Sequence, residues 1–336
     1  MIPDGREAAL PPELRGVARD HVRLLVAAPD GLEHRRFCDL PQMLDGGDLV
    51  VVNASATVPA ALSASRADGR PTTIHISSWL DASAWIVEIR RQDNTGPDLT
   101  PVGGEVLRLP GGVTIALVRP HPDPTAMPSR LWVAAVAPTT ELVPYLEIHG
   151  RPVVYRHLAA NLPLSAHQTV YADQPGSAEM PSAGRPFTSE LLVRLMSAGI
   201  TVAPLTLHAG VSSPEFDEPP APERYIVPAS TARLVASTRR AGKRVVAVGT
   251  TVVRALETDA ENGGIGGKGW TDLVLGPGRP ARIVNGLITG LHLPESSHLL
   301  LLEAVAGAQL VEPAYTSAID RGYLWHEFGD SMLFLP

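Results

Sequence analysis

Three short runs combine residue types that can move protons or hold a polar ligand. His292-Leu-Pro-Glu-Ser-Ser297 sets a histidine, a carboxylate and two hydroxyls just ahead of an apolar stretch. Pro294 at a first turn and Glu295 beside a helix N-terminus are ordinary helix-start chemistry, so structure accounts for half of the run. It does not account for His292, which is either a surface loop residue or a proton carrier, since imidazole titrates near neutrality. Thr206-Leu-His-Ala-Gly210 ends a strand with His208 just before a glycine, a position from which a side chain can project into a crevice. Gly249, Thr250 and Thr251 join the strand Arg244-Val-Val-Ala-Val248 to a following helix. Unpaired N–H groups and the helix dipole favour an anionic or electron-rich ligand at such a junction. A threonine that merely caps the helix is the alternative there.

These runs need elements to position them. Arg23 to Ala27 and Asp48 to Asn53 read as buried strands, with a helical turn over Leu40 to Leu44 stopped by Asp45-Gly-Gly47. From about Leu62 to Pro144 the texture is β-rich, with strands at Thr72–Ile76, Ala84–Ile89, Val113–Val118 and Leu131–Val136, Pro/Gly/Asp loops between them and no helix. This is the pattern of a small antiparallel barrel or sandwich inserted into another domain. After about residue 165 helices alternate with strands. Thr188 caps a helix whose apolar face is Leu191, Leu192, Leu195 and Met196. The strand Thr201 to Leu207 follows, then a helix from Pro228 to Gly242, and Gly263, Gly264, Gly266 and Gly267 mark a flexible loop. Leu299 to Ala306 is apolar enough for a buried helix, and Ser331 to Leu335 closes as a strand. The expected fold is an α/β domain built from residues 1–61 and 151–336, with a β-barrel-like insert at 62–150. Strand ends and helix starts of one α/β layer share an edge. Asn53, Ser182 to Gly184, His208, Gly249 to Thr251 and His292 to Ser296 are therefore expected around one pocket.

Composition bounds the chemistry. Cys38 is the lone cysteine of 336 residues, which excludes an intramolecular disulfide and a thiolate zinc site. No apolar run reaches membrane-spanning length and the N-terminus lacks a signal-peptide pattern, so the cytoplasm is the expected compartment. The net charge of −7 argues against a broad grip on polyphosphate. Lysine occurs only at Lys243 and Lys268, and arginine suits fixed bidentate contacts better than loose steering.

Ala247-Val-Gly-Thr-Thr-Val-Val-Arg-Ala-Leu-Glu257 and His292-Leu-Pro-Glu-Ser296 resemble signatures of the S-adenosylmethionine:tRNA ribosyltransferase-isomerase family. Thr206-Leu-His-Ala-Gly210, Gln168-Thr-Val-Tyr-Ala172, Glu223-Arg-Tyr-Ile-Val-Pro228 and Gly329-Asp-Ser-Met332 match further motifs in the same order. The resemblance implies transfer and rearrangement of the ribose of S-adenosylmethionine onto a 7-aminomethyl-7-deazaguanine base in tRNA, with release of adenine and methionine. It implies no metal and no redox cofactor, S-adenosylmethionine being a substrate. The sulfonium acidifies the C5′ hydrogens, so a base is needed there and an acid at the departing adenine. His208, Glu223 and His292 are the implied proton carriers. Asn53, Ser182, Ala183, Gly184, Arg185, Gly249, Thr250, Thr251, Arg254, Pro294, Glu295 and Ser296 are the implied substrate-binding residues.

The chain departs from the family at several points. Two arginines of the pattern Asn-(Asp/Asn)-Thr-Arg-Val-Ile-Pro-Ala-Arg-Leu become Ala56 and Ala61, and a histidine becomes Pro186. Arg185 stands where the pattern has no arginine, as a replacement contact or as a solvated charge. The acidic charge and the missing arginines weigh against tRNA as the acceptor. They leave a free nucleoside or small acceptor as a second reading, and a binding protein without turnover as a third.

Overall fold

The computed structural model describes residues 6–93, 95–154, 158, 162–212, 219–292 and 297–336, with Ser297 described by its backbone alone. In chain order the first strands are β1 (Arg23–Ala28) and β2 (Gly31–Arg36), then the short helix α1 (Leu40–Met43), β3 (Leu49–Asn53) and β4 (Ser55–Thr57). Six strands follow: β5 (Ala61–Arg66), β6 (Pro71–Asp81), β7 (Ala84–Ile89), β8 (Val106–Arg108), β9 (Thr114–His121) and β10 (Leu131–Ala137). Next come α2 (Leu142–His149), β11 (Gln174–Ser177), α3 (Ser189–Ser197), β12 (Thr201–His208), β13 (Glu223–Val227), α4 (Ala229–Arg240) and β14 (Val245–Val248). The chain ends with α5 (Thr250–Glu261), β15 (Gly267–Thr271), β16 (Gly286–Gly290), α6 (Ser297–Ala306), α7 (Ala308–Asp320) and β17 (Ser331–Phe334).

Nine strands form one mixed sheet in the order β15-β13-β12-β3-β14-β16-β17-β1-β2. Its centre, β12, β3, β14 and β16, is parallel. Every residue of β3, β14 and β16 is buried, as a parallel block covered on both faces requires. Side chains alternate between the two layers. Leu49 and Val51 face the core formed with α5, α6 and α7, while Val50 and Val52 face Leu191 and Leu195 of α3. Val51 pairs with Ala247, so both ends of the chain build this one layer, the α/β arrangement expected.

β5 to β10 close into a barrel in the order β10-β7-β6-β5-β8-β9, around Trp85, Trp132, Ile74 and Ile115. The insert was expected to lack a helix, yet α2 plugs the barrel with Leu142, Tyr145 and Leu146. Pro144 lies in its first turn, where proline is tolerated, and that proline hides the helical period. Glu88 is buried on the barrel wall, where Arg130 (2.6 Å) and Arg90 (2.7 Å) neutralise it.

Two local expectations change. Thr188 caps α3 as expected, its Oγ1 accepting from Leu191 N at 3.1 Å, but Met196 is 69% exposed rather than on the apolar face. One residue past Leu195 rotates it about 100° off that stripe. The glycines after α5 form a packed turn rather than a slack loop. Gly264 N–H donates to Asp259 O (2.8 Å), Gly266 N–H donates to the Asp259 carboxylate (3.1 Å), and Gly267 already opens β15. A Cβ at Gly266 would fall 2.7 Å from Ala229 Cα. Among the described residues no helix is long and apolar enough to cross a membrane.

Candidate functional site

The carboxyl ends of β3, β12, β14 and β16 lie along one edge of the sheet, and β3 delivers Asn53 there. Asn53 is buried and fully used. Its Nδ2 donates to Leu207 O (2.8 Å) and to Thr251 Oγ1 (3.3 Å), and its Oδ1 accepts from Leu207 N (2.9 Å) and Ser55 N (3.1 Å). This one amide ties β3, β12 and the start of α5 together. Gly249, with φ of +90°, turns the chain from β14 into α5, a conformation that favours glycine. No side chain caps α5, so neither threonine is a cap, and Thr251 Oγ1 instead receives the Asn53 amide. Ala183 abuts Gly249: a Cβ there would lie 3.5 Å from the Ala183 methyl.

His208 closes β12 and is 9% exposed. Its Nδ1 lies 2.8 Å from Ser55 Oγ, Ser55 Oγ lies 2.6 Å from Ser177 Oγ, and Ser177 Oγ accepts from Ala209 N–H at 3.0 Å. Ser55 and Ser177 are wholly buried. The hydrogens of this chain can run in two directions. If Nδ1 carried the proton and donated to Ser55, the Ser177 hydroxyl hydrogen would be left without an acceptor, at a cost of about 1–3 kcal/mol. In the opposite direction Ser177 donates to Ser55, Ser55 donates to Nδ1, and both hydroxyl hydrogens are used. This assigns His208 the tautomer with hydrogen on Nε2. That nitrogen has no protein partner among the described residues. Burial, and then the Arg224 guanidinium, push the His208 pKa down to about 4, so the ring is neutral at physiological pH. Gly176 passes so close that a Cβ would fall 2.5 Å from Nδ1.

The barrel reaches this edge through β6. Ser77 Oγ accepts from Val211 N (3.2 Å), and a Cβ on Gly210 would lie 2.5 Å from that oxygen. The indole of Trp79 lies 5.6 Å from the His208 ring, tilted 40° to it. Glu223 has both carboxylate oxygens engaged, one by Gly210 N–H (2.9 Å) and the other by Arg254. Arg254 is buried and also donates to the carbonyls of Leu273 (3.0 Å) and Thr271 (3.1 Å). Glu257, in the same signature run, accepts from the backbone N–H groups of Arg282, Ile283 and Val284. Much of that run is therefore occupied in joining α5 to the strands around it.

His292 leaves β16 and stacks on His298 with ring centroids 3.9 Å apart. Desolvation pushes its pKa down to about 4, against the pull of the Glu327 carboxylate and with the help of His326. Between β12 and β16 lie three strand steps, about 14 Å at the usual spacing, so the backbones carrying His208 and His292 are well apart. Beside β16 a cavity is lined by Ser182, Arg185, Gly290, Phe328, Asp330 and Ser331 among others. Arg185 is not a solvated charge. It is 3% exposed, its guanidinium reaches both Glu13 oxygens at 3.1 Å and the Ala166 carbonyl at 2.9 Å, and it lies over the Phe328 ring. Pro294, Glu295 and Ser296 fall outside the described residues. Among the described residues, no cluster of three His, Cys, Asp or Glu side chains could hold a metal.

Sequence reading did not single out Ser55, Gly176, Ser177, Trp79 or Arg224. One signal was available: Ser55 keeps a hydroxyl where the resembling pattern has threonine. Arg224 lay inside the matching run Glu223 to Pro228 without being picked out, and nothing local marks Gly176, Ser177 or Trp79.

A family model described as queuosine biosynthesis protein matches residues 1–334. The S-adenosylmethionine:tRNA ribosyltransferase-isomerase of Moorella thermoacetica is 36% identical over 351 residues, covering 99% of this chain and 97% of that protein. The protein of the same name from Thermus thermophilus is 35% identical over 352 residues, covering 97% of each. Among solved structures, an S-adenosylmethionine tRNA ribosyltransferase from Thermotoga maritima aligns with a TM-score of 0.56 and 28% identity, over 100% of this chain and 98% of that one.

Proposed function

Because this chain belongs to the queuosine biosynthesis protein family, we propose that it transfers and isomerises the ribose of S-adenosylmethionine onto a 7-aminomethyl-7-deazaguanine base in tRNA, releasing adenine and methionine. In this reading residues 1–61 and 151–336 form the catalytic domain, residues 62–150 shield its edge, and the protein works in the cytoplasm with S-adenosylmethionine and tRNA. The sulfonium is itself the activating group, so the chemistry calls for no metal or redox cofactor.

The observation that carries the mechanism is the buried Ser177–Ser55–His208 chain at the carboxyl edge of the sheet. It holds a neutral imidazole with Nε2–H outward, which suits hydrogen-bond donation to a departing nitrogen base. We assign His208 to the acid side of the reaction. His292, neutral under the same desolvation and drawn toward protonation by Glu327, suits the side that accepts a proton from C5′. Their separation across three strands gives each its own end of an extended substrate. Asn53, Gly249, Thr250 and Thr251 form the floor between them, where the uncapped start of α5 presents backbone N–H groups. Ser182 to Gly184 border that floor, and Arg185 fixes the wall behind it. Glu223 and Arg254 hold the loop after His208 in place. Pro294, Glu295 and Ser296 complete the substrate-binding set carried over from the family pattern.

The test is adenine release from S-adenosylmethionine with tRNA bearing the 7-aminomethyl-7-deazaguanine base. Adenine formed in proportion to ribosylated tRNA is the expected result. No adenine from folded protein that binds S-adenosylmethionine would overturn the reading.

A further inference from the structure

Strand β13 lies between β12 and β15, and its register aligns three side chains across one face. Arg224 stands opposite His208 on one side and opposite Trp270 on the other. The next position on the same face repeats the pattern, with Ile226 opposite Thr206 and Lys268. The side chains of this face are Thr206, His208, Arg224, Ile226, Lys268 and Trp270, with an arginine, a lysine and no carboxylate among them. The Arg224 guanidinium lies 4.7 Å from the Trp79 ring centroid and 6.0 Å from that of Trp270. Among the described residues it makes no hydrogen bond or ion pair, although it is half-buried. Trp270 is 40% exposed and Ile226 41%.

We infer that this face is a docking platform for RNA: a nucleotide adjoining the modified base stacks on Trp270, and its phosphate is held by Arg224 and Lys268. The inference rests on the tRNA reading above and says where the RNA lies. A guanidinium stacked on indole keeps its edge N–H groups free, and those groups match a phosphate. An indole face takes any base, because every base has a π-face. The strip also runs straight into His208, so a chain seated on it is led to the proposed acid. The local pair of cations supplies what the overall charge of −7 does not.

The test measures affinity for tRNA and for a short single-stranded oligoribonucleotide, by filter retention and by tryptophan quenching, without S-adenosylmethionine. Trp85, Trp132 and Trp325 are buried, so RNA-dependent quenching reports Trp79 and Trp270. Trp270→Ala should weaken RNA binding about five- to 150-fold, the range for loss of one base–aromatic stack. Trp270→Phe should restore most of the loss, which a misfolded sheet edge would not allow. Arg224→Gln should reduce the logarithmic salt dependence by about one phosphate contact, while Arg239→Ala on α4, an equal change of charge elsewhere, leaves it unchanged. RNA affinity unaltered by Trp270→Ala, or no RNA binding by the wild type, would overturn the platform. So would a shift confined to S-adenosylmethionine affinity, which would give the indole to the adenine ring, or a shift confined to oligomeric state, which would give this edge to a second protein chain. RNA affinity is read without turnover, so a wild type that binds RNA through Trp270 yet releases no adenine refutes the enzymatic reading and leaves the platform standing.

Discussion

Ser55→Ala removes one wholly buried hydroxyl and cuts the chain behind His208 at its middle. The hydroxyl donates to His208 Nδ1 at 2.8 Å and accepts from Ser177 at 2.6 Å, so its loss strands two buried polar groups. Each costs about 1–3 kcal/mol, giving an expected loss of about 2–4 kcal/mol after partial relaxation. The effect on chemistry is smaller and more specific. A hydrogen bond worth about 1 kcal/mol biases the tautomers roughly fivefold, so its loss alone lowers the Nε2–H population by less than half; with looser ring orientation, kcat should fall about two- to tenfold. Removing the imidazole in His208→Ala should cost about a hundredfold to ten-thousandfold. The discriminating readout is pH. His208 is held near 4 in the folded protein, against an ordinary value near 6.5, so the unfolded chain takes up the proton first as pH falls. The stability this neutral ring supports is present above about 6.5, is lost on acidification toward 4, and has dropped by about 2 kcal/mol at pH 5. Without the Ser55 donor the neutral form is less favoured, so the stability loss at pH 5 should shrink, by up to about 1 kcal/mol. Ser55→Thr, which keeps the hydroxyl, should restore the wild-type pH dependence of stability. An unchanged pH dependence of stability and unchanged turnover in folded Ser55→Ala protein would refute the relay and the tautomer with it.

Glu223→Gln should destabilise the protein by about 3–5 kcal/mol, because Arg254 is buried and keeps its charge; a melting temperature equal to wild type with activity lost would make Glu223 a proton carrier after all. His292→Ala should lower adenine release about a hundredfold or more while the fraction folded at assay temperature stays high, and unchanged specific activity would remove His292 from the mechanism. Arg185→Ala should lower the melting temperature, at about 2–3 kcal/mol, by deleting the Glu13 pair and the Ala166 hydrogen bond. A changed RNA affinity at unchanged stability would contradict the structural role given to it.

Hydrophobic pattern determined the elements that are long or uniform: β1, β3, β12, β14, α3 and the barrel strands β6, β7, β9 and β10 are legible because each is one continuous apolar run or one repeating period. Sequence motifs also pointed to the family that the whole-chain match shows. β4, β5, β8, β11, β15 and β16 were not legible. β16 begins and ends in glycine, and its Gly286 is needed because a Cβ there would press on Val246 at 2.9 Å, a contact invisible before the two strands are paired. The same limit held for the site. His208 stood out as a histidine at a strand end, but its partners Ser55 and Ser177 are 153 and 31 positions away, and nothing in a serine's neighbours says which histidine it will meet. Arg185 reads as a loop arginine until Glu13, across the fold, neutralises it. Local sequence specifies backbone preference and periodicity, whereas the pKa, tautomer and availability of a side chain depend on groups brought within hydrogen-bond reach by folding. Those properties therefore belonged to the tertiary structure alone.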